Sequence, residues 1–209
     1  MAAVKEHKYD NHNPMLFSLL PRGESFLDVG CGGGTLMGRL RDEKAARVEG
    51  LELDPALIAL CESRGLSVRR ADLEQPEALE LPAGRWHNIV ASDILEHLRR
   101  PERLLKALKP GLAPGGRLWV GLPNVAFIQV RLSLLLGRFN YNPQGGILDD
   151  EHLRFYTRSS GRALLEGCGY RVERIHSCNV VRARYGLLRP LGRMMPGLFS
   201  IQNIYEAVA

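Results

Sequence analysis

Short apolar runs alternate along this chain with stretches whose apolar positions recur every three or four residues. The runs at 25–30, 47–53, 66–72, 85–91 and 117–122 read as strands, and Pro123 ends the last of them. Between them, 35–44 carries Leu36, Met37 and Leu40 on one side of a helix. Asp54 and Pro55 read as the N-cap and first position of a second helix over 56–64, closed by Gly65. A third helix is predicted over 101–112, before a Pro114-Gly115-Gly116 turn. The pattern then changes. Residues 125–136 form an apolar helix, and 137–150 are loop-like, rich in Gly, Asn and Pro. Thr157 caps a further helix ending at Gly167 or Gly169, and 170–177 and 200–207 are late strands. Sequential βα units followed by an insertion and a final hairpin-like pair predict an α/β, doubly wound, Rossmann-like domain with a C-terminal helical and loop cover.

Composition narrows this picture. With 209 residues, 45% of them hydrophobic, the chain can bury one good core but not two, so a single domain is expected over 1–209. The longest apolar stretch free of Asp, Glu, Lys and Arg, at 118–130, is too short to span a bilayer. The first ten residues are polar, with no apolar core of a signal peptide. Four scattered cysteines without a C-x-x-C pair argue against a disulfide scaffold or zinc ribbon and fit a reducing, cytoplasmic setting. The net charge of +5 falls entirely in residues 151–209, where nine Arg face four acids. Arg182, Arg184, Arg189 and Arg193 alternate there with Tyr185, Leu187, Leu188, Leu191, Met194 and Met195, as in a solvated helical connector. The apolar positions near 187–199 also permit a homodimer contact, a lid or a membrane-surface contact.

The candidate chemistry begins at Asp28-Val29-Gly30-Cys31-Gly32-Gly33-Gly34, where a strand runs into glycines and then a helix. Such glycines allow a tight turn and close approach of a ligand. The third glycine of a strict G-x-G-x-x-G is Thr35, and Asp28 would repel a pyrophosphate, so a nicotinamide enzyme fits poorly. A ligand with an amino group and a sulfonium would welcome that carboxylate. Glu52, ending the second strand, is placed for both ribose hydroxyls of a nucleoside, and Asp72, ending the third, for an exocyclic amine.

FLDVGCGGG, GLELDP, ADLE, SDILEHL and KPGLAPGGRLWVGLPN resemble, in order, the motifs of class I S-adenosylmethionine-dependent methyltransferases. The departure is Trp86-His87, where the family's fourth strand opens with Phe-Asp. The resemblance implies a seven-stranded sheet with its last strand antiparallel. It divides the domain into a cofactor-binding core (1–123), a substrate-side insertion and cover (124–199) and the last strand (200–209). It implies that Asp28, Gly30, Cys31, Gly32, Gly34, Glu52, Leu53, Asp72, Leu73 and Ser92 bind S-adenosylmethionine, leaving S-adenosylhomocysteine as product. Tyr9, with His12 and Asn13, lies in an N-terminal segment of the kind that covers the cofactor. Residues 39–75 are similar to the methionine-biosynthesis protein MetW, a family whose methyltransferase-like chain works beside a homoserine acyltransferase. Residues 124–156 are more similar to small-molecule methyltransferases, whose D-x-x-H-L-R-F-[FY]-T segment is matched at Asp149–Thr157.

The expected reaction is methylation of a small molecule at O or N: a metabolite, a glycan precursor or a secondary metabolite. DNA is not expected as a partner. Asp93, Glu96 and His97 follow the fourth strand at the carboxyl edge of the sheet, where ligands of open α/β folds bind. His97 and His152 are the candidate general bases. No residue is assigned to a metal, but one competing reading needs one. Asp93, Glu96 and His97 have D-x-x-E-H spacing, which looks like the E-x-x-E-H of metal-assisted quinol and RNA methyltransferases; His152 would be a fourth ligand, to magnesium or manganese. The other rival is a MetW-like regulatory partner that binds the cofactor without transferring its methyl. Val130, Leu132, Leu134, Leu135, Leu136 and Phe139 are expected mostly to pack on the sheet.

Overall fold

The structure, a computed structural model, describes residues 12–179 and 194–209. Tyr9 and the arginine-rich segment at 182–193 therefore lie outside the described residues. A short helix α1 (Pro14–Leu19) is capped by Asn13, whose side chain accepts from the amides of Met15 and Leu16. Then follow β1 (Ser25–Val29), α2 (Thr35–Lys44), β2 (Arg47–Glu52), α3 (Pro55–Ser63), β3 (Ser67–Arg70), β4 (Trp86–Ser92), α4 (Pro101–Leu108) and β5 (Leu112–Pro123). Asp54 caps α3 through the amide of Ala56, as the spacing predicts. Beyond β5 lie α5 (Ile128–Leu135), α6 (Arg158–Gly167), β6 (Arg171–Asn179), α7 (Pro196–Phe199) and β7 (Ser200–Val208).

The strands form one seven-stranded sheet in the order β3-β2-β1-β4-β5-β7-β6. β7 runs antiparallel to both β5 and β6, and the other pairings are parallel. The chain order reverses between β1 and β4, which opens a crevice at their carboxyl ends.

Alternation of side chains fills both faces of the sheet. Leu27, Val29, Ile89, Ala91, Leu118, Val120 and Tyr205 join Leu104, Leu105 and Leu108 of α4 in one core. Their neighbours along the strands, Phe26, Val90, Trp119 and Ile204, join Leu16, Phe17, Leu36 and Leu40 of α1 and α2 in the other. Trp119 donates its indole N–H to Asn88 Oδ1 at 2.8 Å, so this fully buried amide has a partner. Lys44 is buried at the end of α2, where its ammonium bonds the carbonyls of Phe17 and Leu20 and ties α1 down.

Three expectations need correction. β3 is shorter than its 66–72 run, because the Ala71 amide makes a last bond to the Glu52 carbonyl and the chain then turns at Asp72, whose carbonyl accepts from the Gln75 amide. The Pro114-Gly115-Gly116 turn is looped out inside β5: Trp86 pairs with Leu112, but Asn88 pairs with Arg117. The third correction concerns 125–136. The helix begins only at Ile128, and of the apolar stripe only Val130 is buried. Leu132, Leu134, Leu135, Leu136 and Phe139 are exposed, because no element among the described residues is laid over that side.

Candidate active site

At the carboxyl ends of β1 to β4 lies a cleft of about 1520 Å³. Asp28, Gly30, Cys31, Gly32, Glu52, Leu53, Asp72, Leu73, Ser92, Asp93 and His97 all line it. The turn after β1 can be made only by glycine at two points. Gly30 has φ +70° and Gly34 φ +81°. A Cβ on Gly30 would run into Ile94, and one on Gly34 would sit 2.6 Å from Leu66 Cδ1 and 2.9 Å from Cys61 Sγ. Gly34 thus shapes the loop from behind, where it does not line the cleft.

Glu52 is held by backbone. Its carboxylate accepts from the amides of Gly32 at 2.9 Å, Leu53 at 2.7 Å and Asp54 at 3.0 Å. One acid therefore fixes both the glycine loop and the β2 turn, and turns a rigid acceptor towards the cleft. Asp72 likewise accepts from the Glu74 amide and the Gln75 side chain. Asp28, 5% exposed, is pushed up to about 7 by burial and, second, by the Glu52 carboxylate. A carboxyl in that condition favours a cationic ligand, which would replace its missing solvation.

Asp93 leaves β4 with φ +57°, a left-handed conformation that a non-glycine residue adopts at some cost. Its carboxylate accepts from Ser92 Oγ at 2.8 Å and from Gln202 Nε2 at 2.7 Å. Gln202 in turn accepts from Asn13, so the cap of α1, β7 and the end of β4 are joined in one chain of hydrogen bonds. Asn13 and Gln202 both line the cleft. Nothing in the sequence marks Gln202, which is one of several polar positions in β7 beside Ser200, Asn203 and Glu206.

Glu96, His97 and His152 form a second constellation. Their ligand atoms lie within 4.8 Å of one another. His97 Nδ1 is 3.2 Å from the Glu151 carbonyl and His152 Nδ1 is 3.1 Å from the Ile147 carbonyl. A carbonyl only accepts, so each Nδ1 carries the proton and each Nε2 keeps its lone pair. His152 Nε2 lies 4.0 Å from Glu96 Oε1. Glu96 is 1% exposed, and among the described residues no other residue donates a hydrogen bond to its carboxylate oxygens. Burial, and then the Asp93 charge, raise its carboxyl well above the usual range, while burial lowers His152. The loop carrying His152 is fixed to this cluster, since the amides of Leu153 and Arg154 both donate to the Glu96 carbonyl.

Asp93 stands apart from this group, its oxygens taken by Ser92 and Gln202. The four-ligand set expected from D-x-x-E-H spacing is therefore a Glu-His-His set here among the described residues. Glu96 and His152 sit behind the cleft wall, and His97 faces the cleft.

The chain matches the model of a family described as methionine biosynthesis protein MetW over residues 10–149. It is 29% identical over 160 residues to a ubiquinone biosynthesis O-methyltransferase of Coxiella burnetii (strain Dugway 5J108-111), covering 71% of this chain and 67% of the relative. Among solved structures it is similar to an S-adenosylmethionine-dependent methyltransferase from Mesorhizobium loti, with a TM-score of 0.65 at 19% identity, covering 93% and 95% of the two chains. It is also similar to the structure described as a complex between the Haloferax volcanii Trm112 methyltransferase activator and the putative methyltransferase, with a TM-score of 0.69 at 14% identity, covering 100% and 92%.

Proposed function

Because the chain belongs to the methionine biosynthesis protein MetW family and has the class I methyltransferase fold, we propose that it is an S-adenosylmethionine-dependent methyltransferase acting on oxygen or nitrogen of a small molecule. Asp28 binds the amino end of the cofactor, the Gly30–Gly34 turn lies against its methionine part, Glu52 takes the ribose hydroxyls and Asp72 the adenine amine. When bound, the cofactor supplies an electrophilic methyl carbon on a sulfonium. The chain's part is alignment, exclusion of water and removal of the acceptor's proton. His97 takes that proton at Nε2, since its Nδ1–H is held by the Glu151 carbonyl. His152 positions the loop and shares the charge that develops. The observation that carries the reading is that His97 faces the same cleft as Asp28, Glu52 and Asp72. The similarity of the Coxiella burnetii O-methyltransferase favours oxygen as the acceptor atom.

A second reading, metal assistance, is favoured by Glu96. A carboxylate so buried, with no donor from another described residue, beside two imidazoles whose Nδ1–H groups are held by carbonyls, has the donors a divalent cation requires. Glu96, His97 and His152 would hold it, and the Nδ1–H bonds to Ile147 and Glu151 would orient the rings. With two nitrogens to one carboxylate, the set suits first-row transition ions such as Mn²⁺ better than Mg²⁺. Such an ion would lower the pKa of a bound acceptor hydroxyl.

The test is a label-transfer assay. Purified protein and methyl-labelled S-adenosylmethionine are added to a metabolite extract, which is then split into polar, lipid, RNA and protein fractions. Label in the polar or lipid small molecules supports the proposal. Label confined to RNA or protein overturns the substrate class. Tight cofactor binding by calorimetry, with label in no fraction, favours a regulatory partner instead.

A further inference from the structure

The segment that the hydrophobic pattern assigns to the core is one of the most exposed parts of the fold. Leu135 is 81% exposed and Leu136 70%, with Leu132 and Leu134 about half exposed beside them. A monomer gains nothing by presenting to water three leucines of an eight-residue helix and a fourth at its C-cap. Within the segment itself the charges are of one sign, and the nearest acids in the chain are Asp149, Asp150 and Glu151 at its far end. Residues 125–148 contain Arg131 and Arg138 and no Asp or Glu. Both arginines are exposed, and neither has a carboxylate partner among the described residues. The patch continues into Phe139, whose ring packs edge-on against Tyr141 and Phe155, and Phe155 packs against His152 of the candidate site.

We propose that residues 131–141 seat the protein on the surface of an anionic phospholipid bilayer. Leucines and aromatic rings would enter the boundary between headgroups and acyl chains, and Arg131 and Arg138 would lie at the lipid phosphates. The charge pattern selects this occupant over a second copy of the chain. In a two-fold contact centred on the leucines the patch meets itself, and Arg131 and Arg138 would face their own copies with no acid of residues 125–148 to pair them. No helix among the described residues is long and apolar enough to cross a membrane, so the contact is interfacial. It puts the aromatic end of the patch, and with it the His152 side of the cleft, next to the lipid. The surface contact does not depend on which acceptor is methylated.

The test is flotation of the full chain with vesicles of pure phosphatidylcholine, and with vesicles of equal parts phosphatidylcholine and phosphatidylglycerol. Wild type is expected to float with the second and not the first, and to be released by salt. The double variant Leu135→Glu, Leu136→Glu is expected to lower the bound fraction by about tenfold with an unchanged thermal melt, since neither side chain packs in the core. Arg131→Gln with Arg138→Gln should remove the preference for the anionic vesicles. Absence of flotation by wild type overturns the proposal, as does flotation that the leucine variant leaves intact. A wild-type dimer that the leucine variant splits, with no flotation, would assign the patch to a second copy and also overturn it.

Discussion

The rings of His97 and His152 meet edge to face, their centroids 4.8 Å apart, although 54 residues separate them in the chain. Each donates its Nδ1–H to a carbonyl of the same 147–151 loop. The loop therefore sets the tautomer of both, and both Nε2 atoms remain basic. His97→Ala is expected to lower kcat by about 10²–10⁴-fold, the usual contribution of a positioned base. Cofactor affinity by calorimetry should stay within about twofold, because His97 belongs to the acceptor side. His152→Ala should lower kcat less, since this ring lies behind the wall. Full turnover in both variants would remove the proton-transfer role.

Glu96 provides a test that needs no acceptor. If the buried carboxylate serves a cation, the wild-type protein binds Mn²⁺ with release of a proton, seen by calorimetry in buffers of different ionisation enthalpy. Glu96→Gln is expected to abolish that binding and, if it leaves the carbonyl that holds Leu153 and Arg154 in place, to preserve the fold. Failure of the wild type to bind Mn²⁺, Fe²⁺ or Zn²⁺ would leave Glu96 as a protonated structural acid.

Asp28 predicts a pH dependence for cofactor binding. In the folded chain its carboxyl is pushed up to about 7 from an ordinary value of 3.8, so between these values the folded state holds a proton that the unfolded state has lost. Its contribution to stability is therefore fully present below the lower value and is lost as pH rises through about 7. A cationic ligand reverses the preference by favouring the ionised form. Affinity for S-adenosylmethionine should rise as pH is taken from 6 to 8, with proton release on binding. Asp28→Asn should bind more weakly and with a flat profile. An affinity that does not change over this range would show that the carboxyl is already ionised.

Gly30→Ala tests the turn itself. Alanine would have to adopt φ +70° and displace Ile94, which lies on the Asp93 side of the cleft. The strain is about 1–3 kcal/mol, so cofactor affinity should fall by at least about tenfold. A variant with wild-type affinity would mean that the loop can open without cost.

Leu105→Ala tests the helix that supports β4 and β5. The side chain is fully buried in the core on the α4 face. The expected loss is about 2–5 kcal/mol, read as a lower urea midpoint with an unchanged slope.

The strands, the two-sided core and the end of the cleft at Asp28, Glu52 and Asp72 are legible in the sequence because each is written locally. Phe26 and Leu27, or Trp119 and Val120, are adjacent residues on opposite faces, and a period of two is enough to place them. Asp28, Glu52 and Asp72 lie at or just beyond the carboxyl ends of the parallel strands β1, β2 and β3, so consecutive βα units bring them to one edge.

The surroundings of Asp93, Glu96 and His97 needed the tertiary structure. Gln202 reaches Asp93 across 109 positions because β7 is inserted antiparallel between β5 and β6. That register also draws Asp93 away from the D-x-x-E-H set, leaving Glu96 to face His97 and His152. The leucines at 132–136 carry the same apolar signal as those at 104–108, yet one group is exposed and the other is buried. Hydrophobicity determines that a face seeks cover. Whether the chain supplies that cover is decided by which elements the topology lays across it: α4 lies against β4 and β5, and among the described residues no element lies against the outer side of α5.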